Sequence, residues 1–146
     1  MKETKAKIFN IITYLTFFSA FIMIATITFW LTYPYKTLEV NKEPIKIVTP
    51  VVGKSTPLIY EIDYCKFTDK VCEVQKSYVN DITFPASITQ ASNFEGCRVA
   101  RIAQVVPYEL PSGTYRLKIA FTYYVNPIRE ITVIAHTEPF KVIERD

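Results

Sequence analysis

The stretch LPSGTYRLKIAFTYYVNPIREITVIAHTEPFKVI, Leu110 to Ile143, decides the fold. In its first half Tyr115, Leu117, Ile119, Phe121, Tyr123 and Val125 share one parity, while Thr114, Arg116, Lys118, Ala120, Thr122 and Tyr124 share the other. A period of two with one apolar side is the signature of a strand that has one face in a core and one in water. After the turn residues VNPIRE, Ile131, Val133 and Ala135 resume the alternation. Past His136 the inward parity moves to Phe140 and Val142, which predicts a bulge near Glu138–Pro139, since proline inside a sheet is confined to edges and bulges.

Working outward, the same period recurs at 45–49, 57–66, 71–79 and 97–106. In 57–66 it points Leu58, Tyr60, Ile62 and Tyr64 inward and Glu61, Asp63 and Cys65 outward. In 71–79 Cys72 shares its parity with Val74 and Tyr78 and reads as a buried small hydrophobe. The segment NDITFPASITQASNFEG is polar and turn-rich, with at most a short strand near 81–84. The expected fold class is all-β, an antiparallel sandwich of about seven strands over 45–146. Three glycines, against many Tyr, Phe, Ile, Val and Thr, favour strands over helices.

The start of the chain is different. Residues 8–31, IFNIITYLTFFSAFIMIATITFWL, carry no charge. A helix of that length spans about 36 Å, enough to cross a hydrocarbon core of about 30 Å. Trp30, Tyr33 and Tyr35 cluster at its end, where aromatic rings favour the headgroup zone, and Pro34 stops it. The apolar run is longer than a signal-peptide core and lacks an Ala-x-Ala-like site, so an uncleaved signal-anchor is expected. The organisation expected is a basic cytoplasmic tail (1–7), a transmembrane helix (8–33), a linker (34–44) and the β-domain (45–146). Lys2, Lys5 and Lys7 before the span are answered by Lys36, Lys42 and Lys46 after it. The tighter first cluster and the terminal amine favour a cytoplasmic N-terminus with the β-domain extracytoplasmic.

The LPSGTY run, followed by an alternating strand, resembles the tyrosine corner of immunoglobulin-like and fibronectin-type domains. The resemblance implies that Tyr115, shaped by Pro111 and Gly113, bonds back to the backbone at the corner before strand F. The tryptophan of strand C and the B–F cysteine pair of antibody domains are missing, which implies a looser Ig-like sandwich. As a whole the layout resembles small single-pass membrane proteins encoded by bacteria and their viruses. If the Ig strand letters apply, 57–66 is strand B and 97–106 strand E, antiparallel neighbours, which brings Cys65 beside Cys97 and leaves Cys72 free. A Cys65–Cys72 link across a turn and three reduced thiols stay open as alternatives. In the same frame the B–C and F–G loops face the tether, making Phe67, Lys70, Ile128 and Arg129 candidate contacts with headgroups or a membrane partner.

Signals for chemistry are weak. Net charge is +3 and dispersed, unlike the basic face of a nucleic-acid binder. Metal ligation calls for clustered Cys and His, and C-x6-C with a distant cysteine and the lone His136 does not supply it. Glu61 and Asp63 share a strand face about 7 Å apart, but on an outward face with no pocket. No catalytic residue and no cofactor is therefore expected. The expected function is a non-enzymatic single-pass protein. It is anchored in the lipid bilayer through 8–33 and displays its domain to a protein partner or in an envelope or virion assembly. The alternative is a secreted or virion-associated module whose leader is removed.

Overall fold

The computed structural model describes residues 2–91 and 94–144. Helix α1 runs from Lys2 to Thr32 and is followed by ten strands. Two compact units result: the helix through Tyr35 together with Asn126–Arg129, and the β-rich remainder.

Within α1 the segment Lys7–Thr32 is long and apolar enough to cross a membrane, with a mean hydropathy of 2.0 and none of it buried. Its hydroxyl side chains do not make it polar. Thr13, Thr16, Thr26, Thr28 and Thr32 each donate to the carbonyl four residues back, at 2.8–2.9 Å, and Ser19 donates to Thr16. Each hydroxyl is thus satisfied inside the helix, as a medium without water demands.

The β-unit is built from two sheets. The first contains β1 (Leu38–Val40), β2 (Lys46–Ile47), β4 (Pro57–Lys66) and β7 (Gly96–Val105). Strand β7 pairs antiparallel with the whole of β4, Pro57↔Val105 through Lys66↔Gly96, so β1 and β2 share the other edge of β4. The second sheet has the order β3 (Val51–Gly53), β10 (Phe140–Ile143), β8 (Gly113–Asn126), β5 (Cys72–Val79), β6 (Thr83–Ala91), with β9 (Arg129–His136) also on β8. β10 with β8, β5 with β8 and β5 with β6 run antiparallel, and β3 with β10 runs parallel. The core is filled by the parities expected: Leu58, Tyr60 and Ile62 from β4, Val74 and Tyr78 from β5, and Leu117, Ile119 and Tyr123 from β8 are buried.

The parity shifts near where the sequence puts it, at a break between β9 and β10 rather than at a bulge within one strand. Ala135 and Thr137 point inward, then Phe140 and Val142. Thr137 is fully buried and satisfied locally: its Oγ1 accepts from Leu117 N at 2.9 Å and its own N–H donates to Leu117 O at 3.0 Å. Ile45 bridges the break, its N–H on His136 O and its carbonyl receiving Glu138 N. Glu138 Oε2 in turn accepts from Ile47 N at 3.1 Å.

Three further expectations differ from the structure. The described residues form ten strands rather than about seven, several of them short pieces of two to four residues. Leu38–Val40, in the expected linker, is a strand paired with Tyr64–Lys66. The stretch Thr83–Ala91, expected to hold a short strand only near 81–84, is a nine-residue strand along all of β5. Its alternation is hidden by a register shift opposite Lys76/Ser77, where Pro85 sits, and by Ser87, Thr89 and Ala91 at positions that β5 pairs across.

Candidate functional site

Those small side chains have a consequence. On β6, Ser87 and Thr89 stand opposite Lys76 and Val74; on β7, Ala100 and Ile102 stand opposite Ile62 and Tyr60. Where a sandwich would normally set large apolar side chains from both sheets, this flank supplies alanines and hydroxyls, and a cleft of about 300 Å³ stays open between them.

Lys76 lines this cleft. It lies on the inward parity of β5 between Val74 and Tyr78 and is 8% exposed. Its Nζ donates to Gln104 Oε1 at 3.2 Å, and no carboxylate pairs with it among the described residues. Burial disfavours the ammonium and lowers its pKa from the ordinary lysine value. Gln104 is held in turn: its Oε1 also accepts from Ser87 Oγ at 3.2 Å and its Nε2 donates to Val105 O. Tyr78, fully buried, donates to Val105 O at 3.1 Å and is pushed up to about 12, chiefly by burial. Tyr60 also lines the cleft; it is fully buried, and its hydroxyl has no hydrogen-bond partner among the described residues. Burial raises its pKa, with a smaller contribution from Tyr78. Arg98, exposed and also lining the cleft, stacks on Phe94 at 4.8 Å and Tyr64 at 5.4 Å and donates to the Tyr64 hydroxyl.

Each residue singled out from the sequence has a definite place. Cys65 and Cys97 are directly opposed in the β4–β7 ladder and joined by a disulfide, and Cys72 is a buried free thiol. A structural disulfide belongs to an oxidising compartment. Tyr115 is buried and its hydroxyl donates to Pro111 O at 2.9 Å; a side chain at Gly113 would place its Cβ 3.4 Å from the Tyr115 ring. Phe67 is exposed beneath the Lys36 ammonium, 4.4 Å from its ring centre. Lys70 donates to the carbonyls of Tyr124 and Val125. Ile128 is exposed, and Arg129 belongs to the helix unit. There Arg129 Nη1 donates to Leu31 O and Tyr33 O at 2.9 and 2.7 Å, and Asn126 Nδ2 donates to Trp30 O at 3.0 Å. These bonds satisfy carbonyls that the end of a helix leaves open. Lys70 and Arg129 are therefore engaged with backbone carbonyls. Glu61 is exposed, Asp63 accepts from Asn41 Nδ2 at 2.7 Å, and His136 Nδ1 lies 3.6 Å from Glu43.

Lys76 is a site residue not singled out from the sequence, although it stands in the parity that places Cys72, Val74 and Tyr78 inside. Among known proteins, no family model matches the chain and no curated protein matches it.

Proposed function

We propose that this chain is a non-catalytic, single-pass membrane protein that holds an Ig-like sandwich at the extracytoplasmic face for contact with a protein partner. The observation that carries the reading is the pairing of an apolar Lys7–Thr32 helix, none of it buried, with a β-unit stapled by a disulfide. A helix apolar on every side has no soluble core to enter here and is suited to lipid. The Ig-like reading is supported by strand order. With β1 and β2 taken as A, β3 as A′, and β4 through β8 as B, C, C′, E and F, the sheets read A-B-E and A′-G-F-C-C′, with β9 and β10 together as G. The hydrogen bond from Tyr115 to Pro111 supports it further.

For the partner surface, the candidate is the β6–β7 flank. Each of these strands is paired along one edge only, and Ile82, Ile88, Val99 and Val105 stand exposed there. Open edges and apolar surface side chains are the means by which sheets recruit other chains.

The test is fractionation with protease protection in the producing cell. The full-length chain should resist alkaline carbonate extraction, keep its N-terminal methionine or its encoded neighbour, and expose Thr37–Asp146 to protease added on the extracytoplasmic side. Recovery in the soluble fraction, or a mature N-terminus near Lys36, overturns the anchor. A photocrosslinker at position 99 or 105 should then trap a protein, and one at Ser112 should not.

A further inference from the structure

The cleft between β6 and β7 holds two groups that the stability of a sandwich does not call for. Lys76 places an ammonium on the inward face of a core strand, with one neutral amide oxygen as its partner. Tyr60 adds a fully buried hydroxyl with no hydrogen-bond partner among the described residues. Both line the same space, and no Asp or Glu lines it among the described residues. Burying a charge without a counter-charge is costly, and an unmatched hydroxyl adds to the cost. Methionine at 76 and phenylalanine at 60 would fill the same volume with neither cost.

The rest of the wall defines the complement. Ile62, Ile102, Ile119 and Phe121 are apolar, and Arg98 adds a second cation. A volume of about 300 Å³ lies at the lower end of small-molecule pockets. At about 30 Å³ for each water-sized group, it admits about ten such groups. The charge that suits the site is negative, the remainder apolar, and the length short.

We propose that the inter-sheet cleft binds a small amphipathic monocarboxylate, its carboxylate taken by the Lys76 ammonium and its acyl or phenylalkyl body packed on Ile62, Ile102 and Phe121. The ligand supplies the counter-charge that Lys76 lacks among the described residues. Nothing in this site depends on helix α1.

The experiment uses the full chain in lipid nanodiscs, labelled at isoleucine δ-methyls, titrated with sodium 4-phenylbutyrate and followed by NMR. Saturable shifts are expected at Ile62, Ile102 and Ile119, while Ile45 stays fixed. Ile11 and Ile22, exposed on the helix, report partitioning of the probe into the bilayer. Lys76→Met should weaken binding at least tenfold, and the neutral amide 4-phenylbutanamide should bind at least tenfold more weakly than the acid, as expected for loss of a charge-assisted hydrogen bond. Ala100→Leu, which fills the cleft and leaves Lys76 in place, should abolish binding. The comparison of acid with amide in wild-type protein decides the matter if either variant moves the Ile45 methyl and so disturbs the fold. The proposal is overturned by shifts confined to the helix methyls, by no shift (a hydrated cavity only), by equal binding of acid and amide, or by unchanged affinity in folded Lys76→Met or Ala100→Leu protein.

Discussion

Replacing both Cys65 and Cys97 with alanine isolates what the disulfide contributes. The two residues are 32 positions apart, and the chain-entropy relation for a loop of that size gives about 12 cal/mol/K, or about 3.7 kcal/mol at 25 °C. Other terms are small. Cys65 is half-buried and Cys97 exposed, so shortening them leaves no closed void, and the Pro57–Lys66 ladder with β7 remains to hold the native register. A domain of this size is stable by about 5–15 kcal/mol, so the loss is a large share of the total. With a urea slope of about 1.5 kcal/mol/M, the midpoint should fall by about 2.5 M. The assay is urea unfolding of full-length protein in detergent, followed by near-ultraviolet circular dichroism of the tyrosines. Wild-type protein with dithiothreitol should reproduce the double variant. A loss below about 1 kcal/mol would refute the reasoning, because the unfolded chain would then have to be equally confined with and without the bond. A large loss accompanied by deprotection of the β1–β4 amides would refute it too, since the damage would then lie in the native state.

Three further outcomes are expected. Lys76→Met should raise unfolding stability by about 1–3 kcal/mol in the same assay, because a buried ammonium with a neutral partner is exchanged for an apolar chain while Ser87 still satisfies Gln104; a loss of stability would make the lysine structural. Tyr78, raised to about 12, and Tyr60 and Tyr123, also raised by burial, contribute stability that is intact below pH 10 and is lost as pH climbs from 10 through their folded values. The depressed Lys76 acts in the opposite direction, its penalty present below its folded pKa and relieved as pH rises toward 10.5. The net result is destabilisation above pH 10, checked by tyrosinate absorbance at 295 nm, which should rise for the exposed tyrosines first and for these three only with unfolding. Tyr115→Phe should cost about 1 kcal/mol, the value of one hydrogen bond to Pro111 O, and Phe should be far better tolerated there than Ala, which also empties a buried ring site.

How much of this was legible depends on where burial alternates. In β4 and β8 a core face and a wet face make the parity visible, so their inward residues are legible in the sequence, except that Tyr64 toward the end of β4 is only half-buried. The disulfide followed from parity only with a strand assignment in hand, because register across β4–β7 is not a property of either strand alone. Strand β6 was hidden for a physical reason. As an outer strand it is not obliged to be apolar on either face, and the extra residue at Ala86 breaks its period. Strand β1 was hidden because its three residues are too few for a period, and pairing with the end of β4 is what fixes them. Lys76 was hidden by habit of reading, since a charged residue is assumed to face water even where the alternation assigns it to the core.

Strand β7 is fastened at both extremities and along one side only. One extremity carries the Cys65 bond, and just past the other Val106 is tied through its N–H to Thr56 O and through its carbonyl to Ser55 N. At mid-span, around Ala100 and Ile102, the strand is held by the β4 ladder alone, its other edge open. Should the proposed ligand enter through that flank, its exchange would depend on local opening of a ten-residue segment rather than on unfolding of the domain, and cutting the sulfur clamp would free one end of that segment.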